Sequence, residues 1–224
     1  MNVLLFGATG MVGDAVLHEC LADPHIARVL AVVRSPLDIT HPKLNEHHRT
    51  DFYAYDDLIR ELASIDACFF CVGVSAAGLS EAEYQRKTFD LTLAAARALE
   101  AAHPGAAFCY VSGEGTDSSE RGRVMWARVK GKTENALLAL RLNAFMFRPG
   151  FIRPRPGGRP SKTTLYRVLY AVLVPLYPLI QRLAAIHATT AENVGRAMIA
   201  VAMRGYPTRI LENSDINRAA VESL

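Results

Sequence analysis

Near its start the chain runs from four apolar residues, Val3-Leu4-Leu5-Phe6, straight into Gly7-Ala8-Thr9-Gly10-Met11-Val12-Gly13 and then a helical pattern. Three glycines spaced three apart between a strand and a helix leave few folds open. The first permits a tight turn, the second lets backbone approach a ligand closely, and the third lets helix and strand pack without a Cβ between them. The free N–H groups of the helix start then face outward, where the helix dipole favours negative charge. The whole segment, Gly7, Thr9, Gly10, Met11, Val12 and Gly13, is therefore expected to cradle a pyrophosphate.

Short apolar runs go on alternating with longer helical patterns. Residues 28–33 read as a second strand, a third is expected near 49–53, and a helix at 56–63. Residues 68–72 read as a fourth strand. An Ala- and Leu-rich helix over 81–102 stops at His103-Pro104-Gly105. A fifth strand follows at 106–111, a helix at 123–142, and a sixth strand at 143–147 ended by Arg148-Pro149-Gly150. Strands alternating with helices predict an α/β chain with a doubly wound parallel sheet. After Gly150 the character changes. Pro154, Pro156 and Pro160 with Gly157 and Gly158 predict a loop without regular structure over 151–160. Residues 165–180 are almost wholly apolar, and a helix capped by Thr189 or Thr190, a short strand near 209–211 and a last helix finish the chain. Residues 1–150 are thus expected to form the nucleotide-binding core, and 151–224 a small helical cap with the closing elements of the same domain.

Composition limits the function classes. A chain of 224 residues, half of them apolar, can bury a sizeable core, which excludes disorder as its main description. A net charge of +3 is too small to argue for nucleic-acid binding. With Met1-Asn2 leading at once into the first strand, a cytoplasmic setting with reduced thiols is expected. Cys68 and Cys71 flank Phe69-Phe70 in an apolar run, so they read as strand residues and no metal set is assigned. The charge is uneven, however. Between Glu134 and Glu192 there is no acid, while Arg141, Arg148, Arg153, Arg155, Arg159, Lys162, Arg167 and Arg182 contribute +8. Next to the apolar 165–180 stretch, which is too short for a membrane span, that block reads as an anion site or as peripheral membrane contact over 153–180. The apolar stretch itself suits a cleft wall or a homodimer face.

The end of the second strand selects the nucleotide. An acid there would hold a ribose 2′-hydroxyl, and an arginine accommodates a 2′-phosphate. Arg34 stands 21 residues after Gly13, and Asp38 follows only after Pro36. NADP is therefore expected over NAD. Asp51 and Phe52 are placed to flank the adenine, and Gly73 to let backbone pass close to the cofactor.

The glycine pattern, Arg34, Gly73, Tyr110-Val111-Ser112, Lys130 and Arg148-Pro149-Gly150 together resemble the short-chain dehydrogenase/reductase superfamily. The similarity is to its extended or atypical branch, the NmrA-like and Tat-interacting-protein-like NAD(P)-binding proteins described as epimerase/dehydratase-like. It covers about residues 1–150 and implies a Rossmann fold, a dinucleotide, and a small-molecule substrate. It also implies a Ser, a Tyr and a Lys as the reactive set, the last two an i, i+4 pair on one helix face. The serine maps to Ser112 and the lysine to Lys130, which also holds the nicotinamide ribose; Pro149 lines the same pocket. The position four before Lys130 is Trp126, whose indole N–H donates but does not titrate. Either the chain binds dinucleotide without turning it over, or another group such as Tyr84, Tyr110 or a water supplies the proton. Trp126 reads equally as a core aromatic. Glu114, in Ser112-Gly113-Glu114-Gly115-Thr116, is a further acid or base. The implied function is that of an oxidoreductase or isomerase with a non-standard site. The rivals are a non-catalytic dinucleotide sensor or scaffold, and a peripheral membrane protein acting on a lipid-like substrate.

Overall fold

The computed structural model describes residues 1–159 and 185–221. The apolar 165–180 stretch, Lys162, Arg167 and Arg182 lie outside those residues. β1 (Asn2–Phe6) sits mid-sheet, between β2 (Arg28–Val33) and β4 (Ala67–Phe70), and both pairings are parallel. Outward from there run β3 (Leu44–His48) on one side, and β5 (Ala107–Val111), β6 (Asn143–Arg148) and β9 (Ile210–Glu212) on the other. The result is a seven-stranded parallel sheet of order β3-β2-β1-β4-β5-β6-β9, the doubly wound Rossmann arrangement.

The strand sequences explain why both faces are covered. Successive strand residues point to opposite faces. In β1, Val3 and Leu5 enter one core while Leu4 and Phe6 enter the other. The first core is closed by α1 (Met11–Ala22), α6 (Ala191–Arg204) and α7 (Asn213–Val221). The second is closed by α2 (Ile59–Leu62), α4 (Leu91–Ala102) and α5 (Met125–Leu138). The C-terminal helices α6 and α7 thus belong to one layer of the main fold; residues 160–184 of the expected cap fall outside the described residues.

Three sequence expectations need correction. The third strand lies at Leu44–His48, not near 49–53, because Leu44 to His48 match β2 from Val29 to Val33. Arg49 then ends the strand: its guanidinium donates to the carbonyls of Asp51 and Ala54 and pairs with Asp57 at 3.1 Å. The expected loop after Gly150 begins with a short strand, β7 (Phe151–Arg153), parallel to β8 (Ala188–Thr190). The first proline of that segment comes only at Pro154, so three extended residues remain free to pair. The long helix over 81–102 is interrupted. α3 (Glu81–Gln85), opened by a Ser80–Glu83 capping box, passes into a π turn at Arg86–Asp90 before α4.

One buried charge in this core, Glu134, is met by Arg148, which ends β6. Its guanidinium makes a bidentate pair with Glu134 of α5, whose side chain is fully buried. It also reaches Glu212 at 3.2 Å and Ser118 Oγ, so one side chain ties β6, α5, β9 and the loop before α5. Breaking a buried pair from one side strands the other charge. Glu134→Ala is expected to cost about 3–5 kcal/mol, read as a lower urea midpoint at unchanged m value. Arg148→Met combined with Glu134→Leu should recover much of that loss.

Candidate functional site

The β1–α1 turn is built on contacts that exclude side chains. Gly7 has φ +83°, and a Cβ there would lie 2.7 Å from the backbone carbonyl of Cys71, just past β4. A Cβ on Gly13 would lie 2.1 Å from the Gly7 oxygen. Gly10 N donates to that oxygen at 2.8 Å, locking the turn. Gly10 is also the N-cap of α1 and offers no side-chain acceptor. The first-turn N–H groups of α1 are therefore left to whatever lies beyond the helix end. The side chains of Met11 and Val12 turn away from that end and pack with Ala15, Ile152 and Ala191.

Beside the turn lies a cleft of about 450 Å³, walled by Gly7, Thr9, Gly10, Arg34, Phe52 and Gly73 among others. Arg34 is exposed. Phe52 stands edge-on to Phe6 with ring centroids 6.5 Å apart. Asp51 is not part of the wall; its carboxylate accepts from Tyr53 N at 2.7 Å and shapes the turn that presents Phe52 and Tyr53. A Cβ on Gly73 would meet no atom within 4 Å, so the backbone there faces open space. Lys87 completes the wall from the π turn. Nothing in the local sequence marks this second cation, because an α pattern runs through it without a break.

The basic segment after β7 is engaged. Asp14, nearly buried in α1, pairs with Arg155 at 3.1 Å and with Arg159 at 3.7 Å. Arg159 also donates to the Leu37 carbonyl at 2.6 Å and reaches Asp38 at 3.3 Å. These arginines brace α1 and the loop after β2. Among the described residues, no helix is long and apolar enough to cross a membrane.

At the same carboxyl end of the parallel sheet, across from the turn and beside β5 and β6, α5 carries Trp126, Lys130 and Glu134 one turn apart on one stripe. The Lys130 ammonium donates to the Ser112 carbonyl. Burial pushes Lys130 down to about 8, with the Glu134 charge opposing. Ser112 is buried, and its hydroxyl donates to the Phe147 carbonyl at 3.1 Å. A Cβ on Gly115 would sit 3.6 Å from the Trp126 ring, so the indole lies against the loop after β5. Ser112, Lys130 and Trp126 are therefore brought together. Tyr84 and Tyr110, both weighed as proton donors, are not available: each is buried to 2% exposure or less, and burial pushes the Tyr110 phenol further up. Pro149 contributes its carbonyl, which accepts from Glu114 N at 2.9 Å.

One side chain at this end escaped the sequence reading. His187 Nδ1 is hydrogen-bonded to the Glu114 carboxylate, and both groups are exposed to solvent. Gly150 makes the pair possible. A Cβ there would stand 2.3 Å from the His187 carbonyl and 2.6 Å from Glu114 Oε2. Asn213 fixes the crossing: its side chain accepts from Gly150 N at 3.0 Å and donates to the Ala188 carbonyl at 2.9 Å. Asn217 donates to that same carbonyl at 2.9 Å.

Comparison with known proteins adds relatives. The model of the NAD dependent epimerase/dehydratase family matches residues 3–118. The protein "fmp52, mitochondrial" of Emericella nidulans is 28% identical over 169 residues, covering 72% of this chain and 71% of the relative. Among solved structures, the Bordetella bronchiseptica enzyme WbmF in complex with NAD+ superposes with a TM-score of 0.68 at 15% identity, covering 99% of this chain and 77% of that one. UDP-glucuronic acid 4-epimerase from Bacillus cereus in complex with NAD gives 0.67 at 13% identity, covering 94% and 76%. At these identities the two structures speak for the fold.

The turn geometry predicts a sharp contrast between glycines. Gly13→Ala is expected to lose about 1–3 kcal/mol or more by overpacking, visible as a lower thermal midpoint. Gly73→Ala, with space around its Cβ, should leave that midpoint unchanged.

Proposed function

We propose, from the premise that the chain belongs to the NAD dependent epimerase/dehydratase family, that it binds NADP(H) and acts as an oxidoreductase or isomerase on a small molecule. One observation carries this reading. The side-chain-free turn opens an uncapped helix start onto a cleft with Arg34 in its wall and no acid at the end of β2. Backbone N–H groups of α1 would hold the pyrophosphate, Arg34 with Lys87 the 2′-phosphate, and Phe52 the adenine face. Lys130 would hold the nicotinamide ribose, and Ser112 with Pro149 the reacting end. When bound, the nicotinamide supplies or accepts a hydride. This chain's residues supply orientation, charge and a dry wall.

A second reading is favoured by Trp126. Indole cannot exchange a proton, so a dinucleotide sensor without turnover fits the same cleft. Absence of NADPH oxidation with every carbonyl substrate tried, despite binding, would select it. The lipid reading draws less support, since Arg155 and Arg159 already pair with Asp14 and Asp38.

The test uses Trp126, the single tryptophan. Titration with NADPH and NADH under tryptophan excitation is expected to show saturable quenching, tighter for NADPH. Arg34→Asp should weaken NADPH far more than NADH; equal loss would refute the 2′-phosphate role. The Lys130 ammonium, held near 8, is present below that pH and lost above it. NADPH affinity is therefore expected to fall as pH rises through about 8, and Lys130→Met to bind more weakly at pH 7 without that step.

A further inference from the structure

The Rossmann frame keeps a serine and a lysine in reach of one another and puts an indole where a phenol would donate. Tyr84 and Tyr110 are buried in the core. Among the described residues, a titratable pair next to Ser112 is Glu114 with His187. Glu114 lies two residues after Ser112, on the loop whose Gly113 would bring a Cβ to 4.0 Å from Lys130 Nζ. His187 comes from a distant segment and is delivered by β8 and the two asparagines of α7. The crossing at Gly150 holds the pair, since any side chain there would drive the His187 backbone and the Glu114 carboxylate apart.

We propose that Glu114 and His187 form the proton-transfer dyad of this site, taking the place of the missing tyrosine. The assignment rests on the reading under Proposed function. An ionised carboxylate only accepts hydrogen bonds, so the Glu114 contact places a proton on His187 Nδ1 and leaves Nε2 for the substrate. In the reductive direction, the doubly protonated ring would give its Nε2 proton to the carbonyl oxygen of the substrate, while the carbonyl carbon would take the hydride that a bound reduced dinucleotide supplies. A C–H and an O–H bond would form as the C=O π bond and the Nε2–H bond break, the two electrons being those that a bound reduced dinucleotide would supply. His187 is left neutral and regains its proton from water, which its exposed edge admits. Glu114 keeps the ring oriented throughout and is not consumed.

The test has a readout that does not depend on turnover. Diethyl pyrocarbonate, followed by peptide mass mapping, should modify His187 in the free protein. Saturating NADPH should abolish that modification and leave the exposed His25, beyond the opposite end of the sheet, unaffected. Unchanged labelling of His187 in NADPH-saturated protein would place the dyad away from the nicotinamide and overturn the proposal. In turnover with phenanthrenequinone as carbonyl probe, His187→Asn and Glu114→Gln should each lower kcat by about 10²–10⁴-fold, with calorimetric NADPH affinity unchanged. The double variant should be no slower than the slower single, as for groups acting as a unit. Trp126→Tyr added to His187→Asn should restore turnover, because a phenol then stands four residues before Lys130. Full activity in His187→Asn, or NADPH binding by the wild type with no reduction of the quinone, would refute the dyad as donor. Failure to bind NADPH at all would instead refute the cofactor reading, and calorimetry separates the two.

Discussion

No methyl group fits between Gly13 and the Gly7 carbonyl, and most of this structure depends on that contact. It sets how near α1 comes to the end of β1. That distance decides where the helix's unpaired N–H groups emerge relative to the ends of β2 and β4. Gly7, pressed against the Cys71 backbone, fixes the same point from the other side. A Cβ at either position would tilt α1 off the sheet, and its partners α6 and the β7 segment would have to follow. The cleft is thus not carved into a finished fold; it is the space left by two close backbone approaches.

The second half of the site depends on a different kind of contact. Lys130 is half-buried and loses hydration, which by itself would favour its neutral form. Glu134, one turn further along α5, offsets part of that cost, but Glu134 is itself fully buried and needs Arg148. The charge order lysine, glutamate, arginine therefore runs from the reactive end of α5 to the end of β6. It couples the position of Lys130 to the strand that continues into Gly150. Loop 113–122 is clamped to the same helix: a Cβ on Gly131 would lie 1.8 Å from the Asp117 carbonyl. Ser112, Glu114 and Lys130 are held by one connected set of contacts, which is the preorganisation that the proposed proton transfer needs.

What could be read from the sequence follows the range of the interactions. The β1–α1 turn was legible because Gly7, Gly10 and Gly13 act on one another within seven residues. The resemblance put Ser112 and Lys130 side by side, and the structure brings the two into contact. The third strand was misplaced, since nothing local tells Leu44–His48 from the residues after it; the match to β2 and the Arg49 anchor decide. β7 was missed because its partner, β8, lies far along the chain. His187 could not be singled out: a lone histidine before a helix cap acquires a role only when Gly150 and Asn213 bring it to Glu114. Lys87 enters the cleft wall through a π turn that an unbroken helical pattern conceals.

The acid-free basic stretch illustrates the same limit from the side of charge. Taken alone, eight cations without an acid suggest an anionic surface. In the folded chain, Arg141 pairs with Glu100, Arg148 with Glu134 and Glu212, Arg155 with Asp14, and Arg159 with Asp14 and Asp38. All of these acids except Glu212 come from the first 134 residues. Arg155 and Arg159 cross more than 120 positions to reach their partners. The asymmetry therefore marks a late segment that folds back over an early one. Arg155 and Arg159 meet the buried Asp14 of α1 and Arg159 the exposed Asp38 of the loop after β2, so among the described residues part of the imbalance along the chain becomes local balance in space.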